Sequence, residues 1–124
     1  MLGRDNTLGS GQMRNSKILV ATAIDFAVLR DGQRVADGRW ENVVRARALK
    51  RDEFTTDLVC LVLTLHDGSE FLTHEEAPGW AAFLAAAEAA LPGMRPRAAW
   101  WPELVRPAFA RSEMVLFERS AAAG

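Results

Sequence analysis

Three neighbouring residues, His74, Glu75 and Glu76, have the side-chain types of a general acid–base site. Consecutive strand residues point to opposite faces, and carboxylates just before a helix are favoured by the helix dipole alone, so no catalytic role is expected of them. His66 and His74, with Cys60, Asp67 or Glu75, supply the donor types of a metal site. A two-residue hairpin loop at Asp67-Gly68 would pair His66 with Ser69, Thr64 with Phe71 and Leu63 with Leu72. That register puts Cys60, His66 and Glu75 on one face and Leu61, Leu63 and His74 on the other. The histidines then do not converge, and no metal is expected. Cys60 lies between Val59 and Leu61, where apolar surroundings disfavour the thiolate that nucleophilic attack requires. Ser10, Ser16, Ser69 and Ser112 lack a Gly-x-Ser-x-Gly context, and Gly9-Ser10-Gly11 has no strand before it and no helix after it to cradle a phosphate. No cofactor is expected.

Two further groups suit binding better than catalysis. Arg45, Arg47 and Arg51 share one parity of a strand and, with Lys50 nearby, form a candidate anion-binding stripe. The competing reading is a solvated strand face that discourages edge pairing, with Asp52, Glu53 and Asp57 weakening the positive field. Trp100-Trp101 and Phe109 form a candidate partner-binding group, since tryptophan is frequent in binding hot spots. It is equally frequent in the closure of a small core.

The elements that position these residues read as follows. From Lys17 to Val28 the chain is strand-like, with Ile24, Phe26 and Val28 alternating with Asp25 and Ala27. Asp31-Gly32 is a hairpin turn, a short strand covers Gln33 to Ala36, and Asp37-Gly38 interrupts it. Trp40 opens a longer strand to Lys50. Residues from Asp57 to His66 form a central strand, apolar on both faces, and Glu70 to His74 is its return partner. A helix begins at Ala77-Pro78, carries its apolar stripe on Trp80, Phe83, Leu84, Ala87 and Leu91, and ends at Leu91-Pro92-Gly93. Met94 to Pro107 reads as an ordered covering segment with one helical turn near Pro102 to Val105. Met114 to Glu118 is a last strand. Strands followed by a helix predict an α+β fold with antiparallel sheets.

The 124 residues suit one domain, and 49% apolar with 25% charged residues is ordinary for a globular chain. Residues 1–16 read as a flexible leader, with Met13 an alternative start, residues 17–119 as the domain, and 120–124 as a flexible tail. A formal charge of −1 gives no field toward nucleic acid, so no nucleic-acid partner is expected. No apolar run is long enough for a transmembrane segment, and no secretory signal is visible. One cysteine cannot form an internal disulfide, which fits a reducing, cytoplasmic location. The excess of arginine over lysine, and of alanine, reads as bacterial genome bias.

Trp40-Glu41-Asn42-Val43, the run Lys50 to Leu58, Asp67-Gly68, Glu75 to Trp80, Leu91-Pro92-Gly93, Trp101 and Pro107-Ala108-Phe109 together resemble small bacterial proteins of unknown function with a pleckstrin-homology or GRAM-like sheet. The resemblance spans residues 18 to 119 and consists of structural punctuation, with no catalytic signature. It implies a partial barrel of two antiparallel sheets, one main helix after the fifth strand, and sometimes an acidic lipid headgroup near a basic strand. A C-terminal strand after the helix departs from that pattern.

The sequence therefore leads to a non-catalytic protein-interaction module, adaptor or immunity-like, presenting Trp100, Trp101 and Phe109 to an unidentified protein partner. The alternative is an anionic-lipid or small-anion binding module using Arg45, Arg47, Lys50 and Arg51. A second alternative is an acid–base enzyme, which needs a concave site holding at least two of His74, Glu75 and Glu76. Open sheet edges also make a homodimer a possible assembly, which the sequence does not decide.

Overall fold

A computed structural model describes residues 17–53, 56–106 and 112–119. The chain builds seven strands: β1 (Lys17–Ala21), β2 (Asp25–Arg30), β3 (Gln33–Arg39), β4 (Val43–Glu53), β5 (Thr56–Leu65), β6 (Glu70–His74) and β7 (Ser112–Glu118). Helices α1 (Trp80–Ala90) and α2 (Arg97–Leu104) lie between β6 and β7. The strands form two antiparallel sheets, β1-β2-β3 and β6-β5-β4-β7, so the fold is α+β with a late C-terminal strand. None of the described helices is long and apolar enough to cross a membrane.

The segment read as one strand from Lys17 to Val28 is a hairpin. Thr22 makes the turn: its hydroxyl oxygen accepts from the Ile24 and Asp25 N–H groups, both at 3.0 Å. The hydroxyl itself donates to Asp25 Oδ1 at 2.9 Å. The strand at Glu70 is thereby the sixth, and the main helix still follows it directly. Asp31 and Gly32 both have positive φ, as a tight hairpin turn demands. Asp37-Gly38 does not interrupt anything; β3 runs through it to Arg39. Gly38 is there because a Cβ would stand 2.7 Å from Phe26 Cζ and 3.3 Å from Leu65 Cδ1.

Trp40 opens a 3-10 turn, Trp40–Asn42, which carries the chain from the first sheet to the second. Its ring is buried and its Nε1–H donates to Thr22 O at 2.9 Å, so the polar end of the indole is satisfied. The core centres on Phe26, which stands 4.5 Å from Trp40, 4.8 Å from Phe71 and 5.9 Å from Phe83 between ring centres. These four rings come from four elements, so one cluster ties both sheets to α1.

The helix begins three residues later than the Ala77-Pro78 signal, behind Gly79 in the left-handed region. A Cβ on Gly79 would collide with Leu19 O, where the Leu19 N–H donates to Pro78 O at 2.8 Å and ties β1 to the helix start. Its stripe is as expected: Trp80, Phe83, Leu84, Ala87 and Leu91 are all buried. The covering segment is more regular than its prolines suggested, since α2 has eight residues with Pro102 inside. Glu88 of α1 accepts from the Arg97 N–H at 2.8 Å, satisfying a first-turn donor of α2.

Candidate functional site

The β5–β6 hairpin fixes which side chains can meet. The loop is three residues, not two. Gly68 N–H donates to Leu65 O and Leu65 N–H to Ser69 O, with Gly68 at φ 89°, the pattern of a turn closed by a glycine bulge. The register is therefore one residue from the expected one: Leu63 pairs with Phe71, Val62 with Leu72 and Cys60 with His74. Cys60 and His74 thus share a face, which corrects the assignment of His74 to the opposite one. Cys60 is only 1% exposed, however, so no substrate reaches the thiol. Among the described residues no group of three or more His, Cys, Asp and Glu is placed to hold a metal ion.

The anion-binding group divides by strand parity. Arg45 and Arg47 lie on the outer face of the four-stranded sheet, where acids engage them. Arg45 Nη2 donates to Glu118 Oε2 at 2.7 Å, and Arg47 reaches Glu70 at 2.9 Å and Glu113 at 3.2 Å. Lys50 points the other way, is 1% exposed, and donates from Nζ to Val105 O at 3.0 Å, at the C-terminal end of α2. It therefore does not join the arginine stripe.

The aromatic group divides as well. Residues 100 and 101 sit on a helix, about 100° apart. Trp100 is fully buried, with no hydrogen-bond partner for Nε1 among the described residues, and so is core rather than contact surface. Trp101 is half-buried, with the Arg97 guanidinium stacked 4.2 Å from its ring centre. Phe109 lies outside the described residues.

A groove of about 680 Å³ that the sequence did not announce runs beside β6. One wall is the inner face of the three-stranded sheet, with Lys17, Leu19, Val28 and Arg30; the other is β6 and the Glu76-Ala77-Pro78 segment. At the two ends of β6, Leu65 N–H donates to Ser69 O and Glu75 N–H to Val59 O. Main-chain groups alternate along an antiparallel strand, so those of Phe71 and Thr73 also face β5 while those of Glu70, Leu72 and His74 face away. No described strand pairs with that outer edge, and Leu72 is 57% exposed on it.

The acid–base residues sort themselves around this groove. His74 and Glu76 line it, and Glu75 does not. Glu75 Oε1 accepts from the Val59 N–H at 2.8 Å and closes the end of the β5–β6 ladder. His74 Nδ1 accepts from the Glu76 main-chain N–H at 3.2 Å. The bond joining His74 to Glu76 is thus to main chain, and does not pair the imidazole with the carboxylate.

Lys17 and Arg30 are directly opposed across β1 and β2, and both line the groove. Comparison with models of known families, with curated proteins and with solved structures finds no match.

Proposed function

We propose that this domain is a non-catalytic protein-interaction module, adaptor-like in role, that receives an extended segment of its partner along the free edge of β6. The observation that carries this reading is the β6 edge, unpaired among the described strands, running along one wall of the groove. An added strand there would use the outward N–H and C=O groups of Glu70 and Leu72 and the N–H of His74, whose C=O already accepts from the Ala77 N–H at 3.0 Å, and main-chain bonds of this kind give affinity without a pre-built catalytic site. The engagement of Glu75 by β5 and the burial of Cys60 support a binding role over an acid–base or thiol enzyme. Ion pairing of Arg45 and Arg47 and the burial of Lys50 favour a protein ligand over a lipid headgroup on the outer sheet face. The two sheets with a helix against their shared core support the resemblance to pleckstrin-homology-like proteins, which we hold as part of the same proposal.

The test is selection of a random displayed peptide library on the full chain, followed by titration of the recovered peptides against Leu72→Pro. Proline removes only an outward N–H at this edge position and leaves the β5–β6 ladder intact. Affinity is expected to fall about tenfold, with the thermal midpoint nearly unchanged. Recovery of no peptide, or unchanged binding by a folded Leu72→Pro variant, would overturn the proposal.

A further inference from the structure

Lys17 and Arg30 face each other as register partners on one side of the β1–β2 ladder, where like charges directly opposed are destabilising. Neither has an ion pair or side-chain hydrogen bond among the described residues. Every other described lysine or arginine has one or is otherwise engaged. Arg34, Arg39, Arg45, Arg47 and Arg95 meet carboxylates. Lys50, Arg106 and Arg119 donate to carbonyls, Arg97 stacks on Trp101, and Arg51 has a partner too. The unneutralised pair stands in the groove beside the apolar Leu19 and Val28, themselves register partners two residues further along. The acidic side chains of the groove, Glu70 and Glu76, belong to the β6 side, and Glu70 is already held by Arg47. The groove is thus polarised across its width, with cations on the wall formed by the three-stranded sheet.

From this charge complementarity we infer that the segment taken by the groove carries an aspartate or glutamate side chain that Lys17 and Arg30 bind jointly, with an apolar residue two positions away seated against Leu19 and Val28. Residues i and i+2 of a strand added to β6 point to the same face, and the inward face is the one that meets this wall. The carboxylate removes the repulsion between the two cations, so acidic segments are selected over neutral and basic ones. This inference rests on the β6-edge reading, and its test keeps the two apart.

Peptides recovered from the random library would be resynthesised with acetylated and amidated ends, so that any carboxylate comes from a side chain. The expected consensus has an acidic and an apolar residue at i and i+2. Exchanging the acid for its amide should weaken binding to the native chain about fivefold and leave binding to a Lys17→Ala/Arg30→Ala variant unchanged. A Lys17→Glu/Arg30→Glu variant should in turn prefer the lysine-bearing peptide. Peptides that lose binding to Leu72→Pro but show no acidic preference would leave the edge reading standing and overturn this inference. No peptide binding at all would remove both. Binding of anionic phospholipid vesicles that depends on Lys17 and Arg30, with no acidic-peptide preference, would overturn it in favour of a membrane ligand.

Discussion

Asp67 shows how one side chain shapes the hairpin on which the site depends. Its Oδ1 accepts from the Ser69 hydroxyl at 2.6 Å and from the Ser69 N–H at 2.9 Å. These two bonds, the hydroxyl first, hold the carboxyl below the ordinary aspartate range. A carboxyl whose folded value is depressed adds stability that is complete above its unfolded value of about 3.9 and is lost as pH falls through the lower, folded value. An NMR titration should therefore find Asp67 titrating below the ordinary range, and Ser69→Ala should return it upward. An unchanged titration in Ser69→Ala would show that Ser69 is not the cause. The same scale shows what residue type reveals. Strand parity alone separates Lys50 from Arg45, Arg47 and Arg51, whereas its partner Val105 is invisible without the placement of α2.

At the scale of elements, three Asp-Gly pairs look alike in sequence and behave differently. Asp31-Gly32 is a two-residue turn, and Gly68 closes a three-residue loop. Gly38 lies inside β3 because Phe26 occupies the space of a Cβ. Gly38→Ala should therefore destabilise by about 1–3 kcal/mol, as overpacking against a rigid ring does, read as a lower denaturant midpoint at unchanged slope. A midpoint equal to that of the native chain would mean that the Phe26 ring moves aside freely. The hairpin at Thr22 was hidden for a related reason. Apolar residues continue on both sides of it, and the turn is made by a threonine hydroxyl rather than by Gly or Pro.

At the scale of the whole molecule, the adjacent tryptophans measure how much of the aromatic content serves the core. Trp100 is fully buried among residues of both sheets and α1, and Trp101 sits half-exposed under Arg97. Trp100→Ala should cost about 3–5 kcal/mol, a large part of the stability of a domain this size, whereas Trp101→Ala should cost under about 1 kcal/mol. Equilibrium urea denaturation of the two variants checks this, and equal losses would contradict the division of roles.

What the sequence determined by itself was local. Apolar patterning marked the strand regions while merging β1 with β2, a spacing of three and four located the buried stripe of α1, and strands followed by a helix announced the α+β class with antiparallel sheets. These features follow from side-chain periodicity within a few residues. Tertiary structure decided everything that depends on where distant segments meet. A loop one residue longer brought Cys60 opposite His74. The main chain of β5 took Glu75 out of the acid–base group, and the closure of the core took Trp100 from the surface. The groove arises between β6 and strands some forty to fifty residues earlier, and that Lys17 and Arg30 have no partner among the described residues becomes visible only when every other described cation has been given its own. Register, edge exposure and charge pairing are non-local quantities, and no period of two or of 3.6 residues encodes them.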